Sequence, residues 1–309
     1  MSNILVTGVA GFIGSAVSKR LLEAGHTVVG IDDLSTGVKR NIAEGMEFIK
    51  GGCHETATYT AIEGRKFDTI IHLAAQNGSA VGFGNPLHDL EANTVGSYQL
   101  LEFAKRNECK RFILASSVAV YGSKSDMPVT EKEVCEPQSF YGAHKLVSEN
   151  YLRIYQKYGI ATTALRLFNV YGPGQNMVAP THGIISIFME MLVSEGHIVI
   201  KGSPNRVRDF IYIDDAVEAF MLCLDNPDAA NRVFNISRGN AHKVGEVVNR
   251  LRAISKKAVT LEYFGSTEGD VRSVYADISL ATELLGFIPE VSLEEGIRRM
   301  YQWYTEGKE

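Results

Sequence analysis

Tyr141 and Lys145 have the spacing and the chemistry of a proton-transfer pair. Four residues apart in a predicted helix, they share one face. A phenol has an ordinary pKa of about 10, so it acts as a base near neutrality only when a cation stabilises its phenolate. Upstream, Ser117 follows the apolar run Phe112-Ile113-Leu114 and could donate a hydrogen bond to a reacting oxygen. We expect its neighbour Ser116 mainly to cap a turn.

A glycine-rich turn near the N-terminus predicts where a dinucleotide would bind. Gly8, Gly11 and Gly14 follow the first apolar run at three-residue spacing. Glycines there allow a tight turn and let backbone N–H groups approach a pyrophosphate. A helix that simply opens with glycines would show the same pattern.

An acidic pair follows the second apolar run, eighteen residues after Gly14. At that position Asp32 or Asp33 would accept hydrogen bonds from ribose hydroxyls and would repel a 2′-phosphate. Paired aspartates also cap turns. Together with the glycine turn, they favour NAD over NADP.

The elements that must position these groups are short apolar runs alternating with helix-like stretches such as Ser15 to Ala24 and Asn93 to Asn107. The runs are Ile4-Leu5-Val6, Val28 to Ile31, Phe48-Ile49, Thr69 to Leu73, Arg111 to Leu114, Ala161 to Leu167 and Arg232 to Ser237. Uninterrupted apolar runs are typical of buried parallel strands. The alternation predicts an α/β protein with a Rossmann-type doubly wound parallel sheet.

The alternation fades after Asn169, where Gly172-Pro173-Gly174 and Ala179-Pro180 precede a helix-like stretch from Ile184 to Ser194. We therefore expect an NAD-binding domain over residues 1–168, rejoined by about 232–255. A smaller C-terminal lobe over 169–309 would bind the substrate.

Composition limits the function classes. The 309 residues carry a net charge of −5 with lysines and arginines scattered, so nucleic acid is not expected as a partner. No apolar run is as long as a membrane span, the N-terminus has no signal-peptide pattern, and no membrane partner is expected. The cysteines have no paired spacing, so we expect no metal site and a reducing cytoplasmic location.

Seven motifs in order carry a resemblance to a known family. They are TGVAGFIG (Thr7 to Gly14), IDDLSTG (Ile31 to Gly37), HLAAQ (His72 to Gln76), SSVAVYG (Ser116 to Gly122), YGAHK (Tyr141 to Lys145), LFNVYGPGQ (Leu167 to Gln175) and RDFIYIDD (Arg208 to Asp215). Over nearly its whole length the chain resembles the extended short-chain dehydrogenase/reductase superfamily, particularly the nucleotide-sugar epimerases related to UDP-glucose 4-epimerase.

The resemblance implies a reaction and its residues. Tyr141 would take the proton of the sugar 4-hydroxyl, Lys145 would hold the nicotinamide ribose and lower the Tyr141 pKa, and Ser117 would assist. Tightly bound NAD would accept a hydride and return it to a 4-keto sugar. Asn169 and Arg208 would join Ser117 and Tyr141 in binding the UDP-sugar. The cofactor residues implied are Gly8, Gly11, Phe12, Ile13, Gly14, Asp32, Asp33, Ser35, Thr36, Gly37, Leu73, Ala74, Ala75, Gln76, Asn93, Tyr141, Lys145 and Phe168.

The resemblance also implies a homodimer, joined through helices Asn93 to Asn107 and Tyr141 to Tyr158 of each subunit. Leu100, Leu101, Leu146 and Leu152 are compatible with that interface, but they could equally face the sheet.

Several positions depart from the family pattern. Gly51-Gly52-Cys53 lacks the acid that relatives usually have near adenine. Residues 77–83 differ from the relatives' loop beside the sugar. Thr267 replaces a diphosphate-binding arginine of the relatives, for which Arg272 could substitute. Val274 suggests a roomy sugar pocket, although it could simply pack the core. UDP-GlcNAc/UDP-GalNAc and UDP-Glc/UDP-Gal remain equal candidates.

Two other functions stay open. A dehydratase or a reductase of the same superfamily is one alternative. Because Val118 and Ala119 follow Ser117 and cannot move a proton, dehydration and decarboxylation are disfavoured. The other is a non-catalytic nucleotide-sensing protein, since a fold alone does not prove activity.

Overall fold

The protein was analysed as a computed structural model, which describes residues 1–177, 183–256, 258–265 and 273–307. The strands are β1 (Asn3–Thr7), β2 (Thr27–Asp32), β3 (Glu47–Lys50), β4 (Thr69–His72), β5 (Arg111–Ser117), β6 (Ala161–Leu167), β7 (Val170–Tyr171), β8 (His197–Lys201), β9 (Val207–Arg208), β10 (Ile211–Tyr212), β11 (Arg232–Ile236), β12 (His242–Lys243) and β13 (Thr260–Phe264).

The α-helices are α1 (Phe12–Glu23), α2 (Thr56–Thr60), α3 (Ser79–Gly84), α4 (Pro86–Asp89), α5 (Gly96–Arg106), α6 (Phe140–Tyr155), α7 (Ile184–Glu190), α8 (Ile213–Leu222), α9 (Val244–Ser255), α10 (Ser279–Leu285) and α11 (Leu293–Glu306). Within the described ranges, none of these helices combines the length and the apolar character that crossing a membrane requires.

The central sheet has seven parallel strands in the order β11-β6-β5-β4-β1-β2-β3. Strands β1, β2, β4, β5 and β6 are buried over most of their length, as expected where helices cover both faces of a sheet. From β1 the chain winds to β3 on one side and then returns to β4 on the other, which places a crevice at the carboxyl ends of β1 and β4. The predicted fold class is confirmed.

Strand β11 is the last strand of this sheet and pairs with β6. The later helix α9 packs against α7 and α11, in the part of the chain that follows β6. That part also contains three two-stranded pairs, β7 with β10, β9 with β12, and β8 with β13. None of these pairs was predicted, because each joins segments far apart along the chain and such pairing depends on tertiary contacts.

The helix predicted from Asn93 begins earlier in the structure. Asn85 accepts a hydrogen bond from the His88 backbone N–H (3.2 Å), and Pro86 occupies the first helical position. The chain is then helical through α4, a π-helical turn over Leu90–Val95, and α5. The Asn-Pro pair was the overlooked start signal.

The leucines considered for a subunit interface are inside the single chain. Leu100, Leu101 and Leu152 are buried in a core cluster with residues of β4 and β5, and Leu146 packs beside a second cluster around Phe168. Of the two alternatives left open for these side chains, burial within the chain is the one observed.

Candidate active site

A large cleft of about 1800 Å³ opens at the carboxyl ends of the central strands. It brings together most of the residues singled out from the sequence. Those that line it are Gly8, Gly11, Phe12, Ile13, Gly14, Asp32, Asp33, Ser35, Thr36, Gly37, Leu73, Ala74, Ala75, Gln76, Ser117, Tyr141, Lys145, Asn169 and Arg208.

Asn93 and Phe168, two of the expected cofactor residues, do not line the cleft and are almost fully buried behind its wall. Asn93 Nδ2 donates to the Gln76 carbonyl (2.9 Å) and to Asp89 Oδ1 (2.8 Å). Phe168 packs in a core cluster with Val274. These contacts support cleft residues from behind.

The glycine turn is held together by close backbone approaches. Gly8 has φ +77°, and a Cβ there would lie 2.7 Å from the Ala74 backbone nitrogen. A Cβ on Gly14 would collide with the Gly8 carbonyl group, 2.6 Å from its carbon. Because these glycines have no side chain, the turn and the start of α1 leave a backbone-lined surface open to a ligand.

The two aspartates of the acidic pair differ in burial. Asp32 is buried, and its two carboxylate oxygens accept hydrogen bonds from the backbone N–H groups of Ala10 (2.9 Å) and Leu34 (2.8 Å). Burial raises the Asp32 pKa, and these hydrogen bonds partly offset the increase. Asp33 is exposed at the cleft, where Oδ1 accepts from the Ser35 N–H (2.8 Å) and hydroxyl (2.6 Å). Asp32 therefore orders the turn, while Asp33 is the more accessible carboxylate.

The reaction residues come from two elements. Helix α6 carries Tyr141 and Lys145, and it begins at Ser139, whose hydroxyl accepts from the Gly142 N–H (3.1 Å). Lys145 Nζ donates to the Ala115 carbonyl of β5 (2.9 Å) and lies 5.9 Å from the centre of the Tyr141 ring. Ser117 ends β5. A hydroxyl, a phenol and an amine therefore face the same part of the cleft.

Burial moves both titrating groups away from their ordinary behaviour. It raises the pKa of Tyr141 to about 12, with the Ser117 hydrogen bond lowering this pKa and the Asp89 charge raising it further. Burial lowers the pKa of Lys145 to about 8, while the charges of Asp89 and Glu149 raise it. At neutral pH Tyr141 is thus a protonated phenol and Lys145 is mostly an ammonium ion.

The turn-capping role expected for Ser116 needs correction. Ser117, not Ser116, caps a turn: its hydroxyl accepts from the Ala119 N–H (3.2 Å) at the start of a 3-10 helix over Val118–Val120. Ser116 is buried and donates to Glu149 Oε1 (2.5 Å). It faces away from that turn because successive side chains of a strand point to opposite sides of the sheet.

Sequence reasoning missed the partner of Glu149. Arg166, in β6, donates to both of its carboxylate oxygens, from Nε (3.0 Å) and Nη2 (2.7 Å), and both residues are buried. The pair joins β6 to α6 one turn beyond Lys145. An arginine inside the apolar run Ala161 to Leu167 was the available signal, since a buried charge needs a partner.

A second buried network joins the glycine turn to α6. Thr7 Oγ1 accepts from the N–H groups of Leu73 (3.2 Å) and Ala74 (3.1 Å), so its own proton goes to His72 Nδ1 (2.8 Å). His72 Nε2–H then donates to Ser97 (3.1 Å), which also receives the Ser148 hydroxyl of α6 (3.0 Å). Burial and the Lys145 charge lower the His72 pKa to about 3, which keeps the ring neutral.

On the far side of the cleft, Asn169 and Arg208 lie beside one another in the fold. Asn169 Nδ2 donates to the Asp209 carbonyl (2.7 Å), and Arg208 Nη1 donates to the Val207 carbonyl (2.8 Å). Burial and the neighbouring Arg206 lower the Arg208 pKa to about 10, so it remains a cation at neutral pH. Thr267 and Arg272, considered above for phosphate binding, lie outside the described residues.

Two of the departures noted in the sequence also lie on the cleft. Gly51, Gly52 and Cys53 line it near the acidic pair, and the Gly52 N–H donates to Glu55 Oε2 (3.2 Å). Val274 lines it as well, yet only 1% of its surface is exposed because it packs against Phe168. The core-packing alternative is therefore observed, at the edge of the cleft.

Comparison with known proteins identifies the class. The sequence model of the NAD dependent epimerase/dehydratase family matches residues 4–237, and the chain belongs to that family. UDP-glucose 4-epimerase from Thermotoga maritima, solved with UDP-glucose, is 35% identical with a TM-score of 0.95, covering 99% of this chain and 100% of that one.

Two further solved structures are similarly close. UDP-N-acetylglucosamine 4-epimerase from Methanobrevibacter ruminantium, in complex with UDP-N-acetylmuramic acid, is 30% identical with a TM-score of 0.92, covering 99% of each chain. UDP-glucuronic acid 4-epimerase from Bacillus cereus, with UDP-glucuronic acid and NAD, is 30% identical with a TM-score of 0.90, covering 98% of this chain and 99% of that one. The three relatives act on different sugars.

NAD is the cofactor, and the cleft fits it. The side-chain-free surface at Gly8 and Gly14 suits a pyrophosphate, and the exposed Asp33 carboxylate suits ribose hydroxyls. Within the described part of the chain, Gln76 Oε1 is a buried acceptor on this wall with no hydrogen-bond partner, as expected of an atom that faces a ligand.

Proposed function

We propose that this protein is a 4-epimerase of UDP-sugars that uses tightly bound NAD. It would interconvert UDP-glucose and UDP-galactose, UDP-GlcNAc and UDP-GalNAc, or both pairs. The supporting observation is that Ser117, Tyr141 and Lys145 share one cleft with the glycine turn. The turn after Ser117 offers only Val118 and Ala119, which transfer no protons. Epimerisation at C4 needs only a hydroxyl, a phenol, an ammonium ion and a hydride acceptor, whereas dehydration needs further acid and base groups.

In the proposed reaction Tyr141 accepts the proton of the sugar 4-hydroxyl and later returns it, while Ser117 donates a hydrogen bond to the same oxygen. NAD, when bound, supplies the hydride acceptor and donor. Lys145, fixed by the Ala115 carbonyl, supplies the nearby positive charge that favours the phenolate and would hold the nicotinamide ribose. Asn169 and Arg208 would bind the diphosphate.

In domain terms, we propose that residues 1–168 with the strand β11 hold NAD, and that the smaller C-terminal part binds the sugar nucleotide. The cofactor side would use the cleft residues of the glycine turn, the acidic pair and Leu73 to Gln76. Asn93 and Phe168 would act only as supports behind the wall.

The charges on the cleft favour a neutral sugar. Among the described lining residues, the arginines and lysines are Arg40, Lys145 and Arg208. Arg40 follows the acidic pair and lies at the adenosine end, Lys145 is fixed beneath Tyr141, and Arg208 is proposed to bind phosphate. A glucuronate carboxylate would find none of these three available, so glucose and N-acetylglucosamine derivatives are the better candidates.

We also propose a homodimer formed through α5 and α6, in a reducing cytoplasm where the four free cysteines stay thiols. The outer faces of these helices expose Tyr98 (43%) and Ile154 (50%), and the 3-10 turn that follows α6 exposes Tyr158 (46%). Tyr98 also contacts Tyr151 edge to face, with ring centres 6.1 Å apart. Aromatic surface of this kind is enriched at protein interfaces.

Proton NMR tests the proposed reaction. Purified protein is incubated with UDP-GlcNAc and, separately, with UDP-glucose, without added NAD, and the anomeric signals are followed. The proposal expects the 4-epimer of at least one sugar, loss of turnover by a factor of at least about 10² in Tyr141→Phe, and normal turnover in Tyr263→Phe, which changes an exposed tyrosine (57%).

Other outcomes separate the alternatives. Epimerisation of UDP-glucuronic acid alone would contradict the neutral-sugar argument and keep the epimerase. A requirement for added cofactor with stoichiometric NADH formation would indicate a dehydrogenase or reductase. NAD binding without conversion of any of the three sugars would favour a non-catalytic protein.

A further inference from the structure

A buried carboxylate lies behind the reaction residues and has no part in the proposed proton transfer. Asp89, the last residue of α4, has no exposed surface. Its Oδ1 accepts from His144 Nδ1 (2.6 Å) and from Asn93 Nδ2 (2.8 Å). Its Oδ2 is also buried and has no hydrogen-bond partner among the residues that the structure describes. His144 immediately precedes Lys145 on α6.

Burying the Asp89 carboxylate is energetically unfavourable if it serves only as a structural hydrogen-bond acceptor. A buried carboxylate with one unpartnered oxygen loses solvation that its two donors do not fully replace. An asparagine could accept both of the same bonds without carrying a charge. Helix α3 also packs closely against this carboxylate, since a Cβ on Gly82 would lie only 2.6 Å from Oδ2. The charge itself is therefore the feature that needs an explanation.

That charge acts on both groups of the proposed reaction. The Asp89 carboxylate raises the pKa of Tyr141 and the pKa of Lys145. Of the other groups around the pair, Glu149 on α6 also raises the Lys145 pKa, but Arg166 neutralises it through two hydrogen bonds. His72 on β4 is uncharged, and Ser117 on β5 supplies only a hydroxyl. Asp89 differs from Glu149 in that its hydrogen bonds come from an imidazole and an amide and not from a guanidinium.

We propose that Asp89, oriented by His144 and Asn93, is a positioning residue that sets the charge state of the reaction pair. Its carboxylate keeps Lys145 an ammonium ion within an apolar environment and opposes ionisation of Tyr141. The inference rests on the proposed function only in treating Tyr141 and Lys145 as that pair.

The test replaces Asp89 by asparagine, which keeps an acceptor for both donors and removes the charge. Without the charge both pKa values fall, so both limbs of the pH profile of kcat/KM should move to lower pH, by about one unit. Loss of a merely structural contact would lower the rate without moving the limbs. Asp228→Asn, the same change at an exposed site on the 3-10 helix Pro227–Ala229, should leave the profile unchanged.

A second readout does not depend on turnover. Phenolate absorbance is titrated in the NAD-loaded protein and in its Tyr141→Phe counterpart, and the difference isolates Tyr141 from the other twelve of the 13 tyrosines. The same pair of proteins is then measured with Asp89→Asn. Ionisation of Tyr141 should occur about one pH unit lower. This result would hold even if none of the tested sugars were epimerised, so the two proposals can fail separately.

An unchanged Tyr141 titration in a folded Asp89→Asn protein overturns the inference, whatever happens to the rate. If that variant does not fold, His144→Lys provides the same sign of change from a less buried position, because a permanent ammonium ion would then face the carboxylate. A downward shift of the Tyr141 titration supports the inference, and no shift overturns it.

Discussion

Replacing Gly14 by alanine should damage both the fold and the cofactor site. The new Cβ would lie 2.6 Å from the Gly8 carbonyl carbon, closer still to its oxygen, and 3.2 Å from the Val9 Cα. All three are backbone atoms of the turn, so no side chain can rotate away. The start of α1 must separate from the turn instead.

The magnitude follows from the kind of contact. Forcing extra atoms into a packed site costs about 1–3 kcal/mol, and a clash with backbone belongs at the upper end. Alanine otherwise gains up to about 1 kcal/mol over glycine in a helix, which offsets little of this. We expect a net loss of roughly 2 kcal/mol, a fall in Tm of about 3 °C and NAD binding weakened at least tenfold.

Two other glycines provide graded controls. A Cβ on Gly11 would lie 3.2 Å from the Gly8 oxygen, a tight contact that a small adjustment relieves, and a Cβ on Gly84 would meet nothing within 4 Å. Differential scanning calorimetry and calorimetric NAD titration should rank the alanine variants Gly84, Gly11, Gly14 in order of increasing damage. A Gly14→Ala protein with the Tm and NAD affinity of the parent would refute the reasoning.

Three further predictions concern charged and polar groups. Glu149→Gln leaves the Arg166 guanidinium buried without a counter-ion and should cost about 3–5 kcal/mol in urea denaturation, much of it recovered when both residues are methionine. The folded-state pKa of His72, about 3, is below its unfolded value near 6.5. The contribution of His72 to the free energy of unfolding should therefore be fully present above pH 6.5 and fall by up to about 4 kcal/mol on acidification towards pH 3. In unfolding measured as a function of pH, His72→Gln should flatten this dependence. Asp33→Asn should raise the affinity for NADP relative to NAD about tenfold in competitive titrations, because it removes the exposed charge that would repel a 2′-phosphate.

The parts of the fold that the sequence predicts are those with local causes. Strands β1, β2 and β5 are largely apolar runs because both of their faces are buried, and α1 follows a glycine turn with the spacing expected at a dinucleotide site. The two-residue strands β7 and β10 have no such signal. They exist because Val170–Tyr171 and Ile211–Tyr212 are brought side by side by the rest of the chain.

The same distinction applies to the candidate site. Gly14, Tyr141 and Lys145 are recognisable because spacing along one turn or one helix is a local property. Glu149 and Arg166 are 17 positions apart, and Asp89 and His144 are 55 positions apart. No periodic pattern in the sequence predicts that these pairs form hydrogen bonds. Ser116 shows the limit most simply, because its partner Glu149 lies 33 positions further along the chain and nothing local marks the pair.

Helix α6 connects these observations. It carries Tyr141 and Lys145 towards the cleft, Glu149 towards Arg166, Ser148 towards the His72 network, and His144 towards Asp89. Because each of these contacts is buried, a rotation of α6 that moved Tyr141 would have to break several hydrogen bonds at once. The helix is therefore fixed from several directions, so the phenol can hold a defined position beside a bound sugar without a ligand to order it. Such preorganisation is what proton transfer at a fixed sugar oxygen requires.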